Sequence, residues 1–509
     1  MTPKLISNLF LAWVMFTPWM LGGNRVWALA ILAPLLALIS IAHCWVQARA
    51  ATGAQPPVAF PRLPAGVFAA LVCLVLLQWM PVSDGVLSFL SPAAAEVWSG
   101  TRALQGEGGS FAVSLDSYQT HVSLLRLFIY ANVFYLTWSL FRRPEDLRRL
   151  GYTIVAAGTL EALFAIAMVA TRGRYSLLDT TVVNEVANGS FVNRGHFAAY
   201  MVTCLSIGVG MMVGKISDPK GPRSWRQRFR DWLKLVLSSK ARLRVLLVLM
   251  VVALILTRSR MGNFSFFFAL GMLGAAHMWA TRKIHRGFVI LIVSMVVVDT
   301  VLIGSWVGLG ELAQRVQDTT PTDVAVRQAA SFVALDLLRL FPVLGSGAGS
   351  YYVMYFHHAS PDDPNWYEHA HSDFLELASE MGIPAFLMVA ALIAVSTLKA
   401  LAVARNEERR VVRGMAFGAF MAICGAVTHA TMEFNLQMPA NAILFSIVLA
   451  LPWAMSARAG RVAVAAAPAD AVVEPASVVP DGGADASPHP ESPEPAASRR
   501  SKRARRSGQ

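Results

Sequence analysis

Residues 366–402 read WYEHAHSDFLELASEMGIPAFLMVAALIAVSTLKALA. Ionisable side chains crowd into the first half of this stretch, among them His369, His371, Asp373, Glu376 and Glu380. An almost uncharged apolar run of membrane-spanning length then begins. A polar segment that leads into such a run is typical of the end of a membrane-spanning helix. The stretch therefore predicts a cluster of ionisable groups at a membrane surface.

The composition of the whole chain supports the same class of protein. Hydrophobic residues make up 55% of the chain and charged residues 15%, and the mean hydropathy is +0.50. This is too apolar for an ordinary soluble protein. The apolar runs are continuous, whereas the strands of a membrane β-barrel alternate apolar and polar residues. We expect an all-α, polytopic integral membrane protein.

Apolar runs predict about twelve transmembrane helices. They lie near residues 5–22, 26–46, 64–82, 121–141, 150–171, 195–214, 243–257, 261–281, 287–306, 384–402, 414–430 and 440–457. We divide the chain into N-terminal helices with a first extracytoplasmic loop (1–120), a transmembrane core (121–457) and a tail (458–509). The tail is rich in Ala, Pro, Val, Ser and Asp, which predicts disorder.

Positive charges indicate the orientation. In an alternating count of spans, most Lys and Arg residues fall on one side, which is then the cytoplasmic side. The net charge of +13 is thus mainly a signal of topology, and we predict no nucleic-acid partner. The basic end of the tail, Arg499–Arg506, either contacts anionic membrane lipids or is solvated. The opposite face receives the loops near 83–120, 172–194, 307–383 and 431–439, and the large loop 307–383 joins spans nine and ten.

Metal and disulfide sites are not predicted. All four cysteines fall inside predicted spans, which disfavours a disulfide framework or a zinc site of the cysteine type. His357, His358, His369 and His371 lack the spacing of a zinc helix. We therefore expect no metal and no other cofactor.

Several arginines lie where spans meet the predicted outer face. Arg194 opens span six, and Arg258 and Arg260 lie in the short turn TRSRMG between spans seven and eight. Arg327 lies on an amphipathic segment within 322–340. A guanidinium donates paired hydrogen bonds to phosphate oxygens and keeps its charge, which suits a diphosphate. The alternative is that these arginines are interfacial anchors or ion-pair partners.

The histidine cluster and the last outer turn complete the candidates. A neutral imidazole can accept a proton from a hydroxyl near neutral pH. Asp373 and Glu376 have the spacing of a helix-capping pair, so we interpret Asp373 as a cap rather than a catalyst. The turn between the last two spans carries Glu433, Asn435 and Gln437, which, like His369, we consider candidates for binding sugar or acceptor groups.

Together these motifs resemble the O-antigen ligase and O-antigen polymerase family of bacterial envelope glycosyltransferases. The resemblance covers most of residues 120–455. It is carried by FVNRGHFAAY, TRSRMG, RQAASFVALDLLRLFPVLGSGAGSYY, HAHSDFLELASEMGIPAFL and THATMEFNLQMPANAILF. It implies a multi-pass protein of the bacterial inner membrane with a periplasmic active site. It also implies metal-independent transfer of a glycan from undecaprenyl diphosphate to a hydroxyl of lipid A core or of a growing polysaccharide, with a polymer-length regulator as a further partner.

The resemblance also implies residue roles. His371 matches the essential loop histidine of the family, and Arg260 and Arg327 match its diphosphate-binding arginines. Arg194 belongs to a motif that part of the family has. The chain departs from the family pattern at two positions: it has Gly195 where Asn is expected in close relatives, and Glu433 where Asp is expected.

Two further classes of function remain open. A lipid-linked glycan flippase or exporter would use the same arginines without a proton acceptor, and a non-catalytic assembly subunit would need neither. Ligase and polymerase are not separated by these motifs.

Overall fold

The computed structural model describes residues 2–50, 59–105, 111–172, 186–215, 239–282, 321–358 and 366–466, together with positions 289 and 293. Residues 1–462 form one compact unit. In the described ranges the chain is almost entirely helical. The α-helices are α1 (Pro3–Phe16), α2 (Val26–Ala50), α3 (Arg62–Trp79), α4 (Asp84–Leu90), α5 (Pro92–Gln105), α6 (Ser117–Leu140), α7 (Pro144–Ala170), α8 (Arg194–Val213), α9 (Ser239–Leu256), α10 (Arg260–Thr281), α11 (Pro321–Leu340), α12 (Tyr351–His358), α13 (Asp373–Asn406), α14 (Arg410–Ala430) and α15 (Pro439–Ala466).

Nine helices within these ranges are long and apolar enough to cross a membrane, and they make the chain a multi-pass membrane protein. They are α2, α3, α6, α7, α8, α10, α13, α14 and α15. The predicted spans at 5–22 and 243–257 correspond to α1 and α9, which are not among the nine. Helix α1 ends at Phe16 before two short 3₁₀ turns, and α9 starts with a basic segment. The predicted span 287–306 lies outside the described residues, apart from positions 289 and 293.

Helix α8 is the centre of the bundle, and its spanning segment is completely buried. Its closest neighbour is α14, and glycines explain the close approach. A Cβ added at Gly210 would lie 2.3 Å from the backbone N of Gly418, and one added at Gly214 would lie 3.0 Å from Cα of Gly414. Both helices carry a Gly-x-x-x-Gly pattern, which lets two membrane helices approach closely. The pair brings the start of α8 beside the end of α14.

A second apolar cluster lies outside the spanning helices and includes parts of two predicted outer loops. Here α4, α5 and a two-stranded antiparallel ladder, β1 (Pro81–Val82) and β2 (Phe111–Ala112), pack with α11 and α12. Leu87, Phe111, Leu337, Tyr351 and Tyr355 belong to its buried core. The described parts of the segments near 83–120 and 321–371 therefore pack together as one layer.

The glycine-rich turn 345–349 joins this layer to α13. Gly345 has a φ of +74°, and a Cβ there would lie 2.1 Å from the carbonyl oxygen of Glu380. Gly347 donates its N–H to the same carbonyl at 3.0 Å. Helix α13 is itself broken at Gly382, where φ is +79°. Residues 345–349 are thus a tight turn, and they hold the first segment of α13 in place.

Candidate active site

Residues 369–372, the segment before α13, are held in place by contacts with the first turn of that helix. Ser372 is the N-cap, and its hydroxyl accepts from the N–H of Leu375. The carboxylate of Glu376 accepts from Nδ1 of His369 at 2.7 Å and from the N–H of Ala370 at 2.8 Å. Burial lowers the pKa of His369, but Glu376, Glu380 and Glu368 together outweigh burial, so the pKa lies above its usual 6.5. The predicted capping pair of Asp373 and Glu376 is wrong, because Ser372 takes the cap.

Asp373 joins this segment to the last outer turn. Its buried carboxylate accepts from the N–H of Leu436 at 3.0 and 3.1 Å. The N–H of Asp373 in turn donates to the carbonyl of Glu433 at 3.3 Å. Helix α11 holds the other side, since the hydroxyl of Ser331 donates to the carbonyl of Ala370 at 2.9 Å. These bonds fix the positions of the residues on either side of Ala370.

His371 adopts a left-handed backbone conformation, with φ at 53°. Such a φ is uncommon outside glycine and persists where the surroundings impose it. The imidazole packs edge-on against Phe434, with ring centroids 5.1 Å apart. Its Nδ1 is buried and lies 3.9 Å from Oε2 of Glu433. Nε2 is therefore the nitrogen that can take a proton from a bound molecule.

Glu433 lies between His371 and a cation. Its Oε1 accepts from Nη1 of Arg327 at 2.8 Å. Burial alone would raise the pKa of Glu433, but His371, Arg327 and His429 outweigh burial and lower it to about 2. Glu433 is consequently a carboxylate at neutral pH. Gly195 lies next to Glu433, since a Cβ added at Gly195 would make an ordinary contact with the carboxyl carbon of Glu433 at 3.8 Å.

These residues border a cavity of about 650 Å³, which we term the arginine cavity. Its lining residues include His371, Glu433 and Tyr367, and also four arginines: Arg194, Arg258, Arg260 and Arg327. The first turns of α8 and α10 also line it, with Asn193 and Ser259 as their N-caps. The N-terminus of a helix carries a partial positive charge and unpaired N–H groups, which favour anions. The cavity thus has the electrostatics of an anion site beside a histidine.

A match to a known family coincides with this geometry. Residues 245–390 match the family model for O-antigen ligase. Over this range the chain is similar to the O-antigen ligase family. The family resemblance predicted from the motifs is confirmed over this range, which supports a membrane-bound glycosyltransferase of polysaccharide biosynthesis at family level. A comparison with curated proteins gives no match to this chain.

The range that matches the O-antigen ligase model contributes Arg258, Arg260, Arg327 and His371 to the arginine cavity. Arg194 and Glu433 reach it from outside the matched range. The sequence predicts that Glu433 binds sugar or acceptor groups, whereas here it contacts Arg327 and lies beside His371. Tyr367 is a lining residue that no sequence motif indicates. The left-handed turn at Arg258, where φ is 53°, follows α9 directly and turns this residue toward the cavity with Arg260.

The remaining predicted residues lie apart from the arginine cavity. His369 stacks on Phe434 and is bound to Glu376, so it supports the wall behind His371. Asn435 is buried, and Gln437 lines a different, apolar cavity of about 230 Å³. In the described part of the chain, no group of three or more His, Cys, Asp and Glu residues is arranged to hold a metal ion.

Proposed function

We propose that the protein is a glycosyltransferase that moves a glycan from undecaprenyl diphosphate to an acceptor hydroxyl at the outer face of the bacterial inner membrane. The observation that carries this proposal is the arginine cavity. Four arginines and two helix N-termini surround a space that His371 also faces. An anion and a proton-accepting imidazole are thereby brought side by side.

The charge of the cavity suits a diphosphate. Four guanidinium groups and one carboxylate leave three positive charges, before the two helix N-termini are considered. A diphosphate diester carries two negative charges and gains a further one as it becomes a leaving group. Planar guanidinium groups can hold both phosphates through paired hydrogen bonds and stabilise the charge that develops on them. Arg327 already donates Nη1 to Glu433 and would bind phosphate through its other N–H groups.

The reaction is then one displacement at the anomeric carbon. The acceptor oxygen forms a bond to this carbon while the bond to the diphosphate oxygen breaks, and the electron pair leaves with undecaprenyl diphosphate. Nε2 of His371 takes the hydroxyl proton. A single displacement inverts the anomeric configuration.

Glu433 has a positioning role in this scheme. Its carboxylate faces Nδ1 of His371 at 3.9 Å, which favours the tautomer with a proton on Nδ1 and a free lone pair on Nε2. It also stabilises the imidazolium that forms when Nε2 takes a proton. The acceptor is lipid A core in a ligase or a growing chain in a polymerase. We expect chelators to leave transfer intact, because none of these steps needs a metal.

Reconstituted transfer from purified undecaprenyl-diphosphate glycan tests the proposal. His371→Ala is expected to abolish transfer while donor binding, measured separately on the same protein, persists. If His371→Ala instead moves the donor across the membrane as well as the wild type does, the result would favour a flippase. Equal loss of binding and product would favour an assembly subunit.

Cysteine labelling tests the location. In a chain whose four native cysteines are replaced, Phe89→Cys on exposed α4 should react with an impermeant maleimide from the periplasmic side. Glu408→Cys, between α13 and α14, should react only after the membrane is permeabilised. The reverse pattern would place the arginine cavity on the cytoplasmic side and contradict the proposal.

A further inference from the structure

A second basic recess lies at the other end of α8. Helix α8 has 20 residues, so its two ends are about 30 Å apart. Arg194 at its start lines the arginine cavity, whereas Met211 and Lys215 at its end line a pocket of about 270 Å³. Helix α7 contributes Arg148 to this pocket, and the first turn of α14 contributes Arg410. We term it the basic pocket.

The basic pocket gathers three cations, and none of its lining residues is acidic. Two nearby carboxylates are engaged with other cations: Asp146 pairs with Arg149, and Glu407 pairs with Arg409. Like charges that converge on one recess repel each other, and an anion between them removes that cost. The charge pattern therefore selects a ligand with a negative group.

Lys215 is held at the pocket by a neighbouring ring. Its Nζ donates to the hydroxyl of Tyr152 at 3.0 Å and lies 5.4 Å from the centre of that ring. Neither contact neutralises the ammonium charge. Arg148 and Arg410 are exposed, so their guanidinium groups can move onto a ligand. The N-terminus of α14 adds a partial positive charge at the same place.

The floor of the basic pocket is apolar, and it lies where α8 and α14 approach each other closely. Met211, Val411 and Met415 supply the apolar surface. A Cβ at Gly214 would lie 2.4 Å from the carbonyl oxygen of Arg410, so only glycine lets α8 and α14 meet here. Methionine side chains adapt to flexible apolar partners. A ligand that fits must combine a negative group with an aliphatic part.

We propose that the basic pocket binds one anionic phospholipid. The phosphate lies among Arg148, Lys215 and Arg410, and the start of an acyl chain lies on the methionine floor. A lipid is favoured over free phosphate because the pocket lies at the ends of three membrane-spanning helices, α7, α8 and α14, on the side that the positive charges predict to be cytoplasmic. Basic pockets between membrane helices on this side bind anionic headgroups.

Native mass spectrometry of the delipidated, full-length chain tests the proposal, with phosphatidylglycerol as the probe. The variant Arg148→Gln, Lys215→Gln, Arg410→Gln removes the three cations. The matched control Arg62→Gln, Arg143→Gln, Arg413→Gln removes three charges from residues that do not line the pocket. Since each basic residue near the membrane contributes about fivefold in affinity, the pocket variant should bind on the order of a hundredfold more weakly. The control should retain one tightly bound lipid.

Two comparison ligands make the outcome decisive. Phosphatidylcholine should bind much more weakly than phosphatidylglycerol, and millimolar inorganic phosphate should not displace the bound lipid. Equal binding by the pocket and control variants, or displacement by phosphate, would overturn the lipid site. If the triple variant does not fold, the single variant Arg410→Gln, at an exposed residue, is used instead. Its affinity for phosphatidylglycerol is then compared with that of Arg413→Gln.

Discussion

Nδ1 of His371 lies 3.9 Å from one carboxylate oxygen of Glu433, and the other oxygen of Glu433 accepts from Arg327 at 2.8 Å. One carboxylate thus connects the proposed base with a proposed diphosphate ligand. The three residues come from three separate elements: the segment before α13, the last outer turn and α11. Asp373 holds the first two together through Leu436.

Glu433→Gln should keep the shape of this arrangement and remove its charge. Without the carboxylate, His371 loses the preference for a proton on Nδ1, and the imidazolium loses its counter-charge. We expect kcat to fall on the order of 10²–10⁴, which is the range of a general base that has lost its function. Transfer by the reconstituted variant at equal folded amounts measures the effect.

Glu433→Asp is the matched control, because it keeps the charge and shortens the reach. It should retain more activity than Glu433→Gln. A Gln variant as active as the wild type would show that the carboxylate has no part in the reaction.

Arg260 and Arg327 should respond to the loss of geometry as well as charge. Lys keeps the charge but cannot donate paired hydrogen bonds to a phosphate. Each Lys variant should therefore impair transfer, and each Ala variant should impair it by about 10²–10³, the cost of one transition-state donor. Arg258 also lines the arginine cavity, so Arg258→Lys should lose activity as well.

Arg172 provides the control for the arginine series. It follows α7, on the same predicted face, and does not line the arginine cavity. Arg172→Lys should leave transfer unchanged. If the single variants Arg260→Lys and Arg327→Lys both keep full activity, the proposal that these arginines bind the diphosphate would be contradicted.

Sequence reasoning located much of this site because helix ends and charges follow local rules. Arg194, Arg260 and Arg327 stand out as cations on a face where positive charge is disfavoured, and His371 follows from its motif. The pairing of Glu433 with His371 had no such signal. The two residues are 62 positions apart, and their contact depends on how α13 and α14 pack.

The burial of Glu376 and Glu380 could not be predicted from the sequence either. Glu376 and Glu380 lie one helical turn apart, which is compatible with a solvated face. Both are instead buried, because Ala370 and Tyr351 donate backbone N–H groups to them. Both donors lie outside α13, so the spacing of residues within the helix does not reveal them.

The ion pair between His369 and Glu376 predicts a dependence of stability on pH. The pKa of His369 is raised in the folded protein, so its contribution to stability is fully present below the usual 6.5 and is lost as the pH rises through the folded pKa. The difference in unfolding temperature between the wild type and His369→Asn should therefore be largest at about pH 6 and smaller at pH 9. Thermal unfolding in detergent across this range measures it. A difference that grows with pH would have the wrong sign for this ion pair.

Gly210→Ala tests the contact that positions the start of α8 beside the last outer turn. The added methyl group would lie 2.3 Å from the backbone of Gly418, and a backbone cannot rotate away as a side chain can. We expect a loss of roughly 1–3 kcal/mol in the free energy of unfolding, the usual cost of overpacking. Gly271→Ala on α10 is the control, since nothing lies within 4 Å of its Cβ, and it should be neutral or gain about 0.5–1 kcal/mol. Because Arg194 and Glu433 are joined through α8 and α14, Gly210→Ala should also lower transfer, whereas Gly271→Ala should not. Equal stability of the two variants would mean that α8 and α14 do not meet at these glycines.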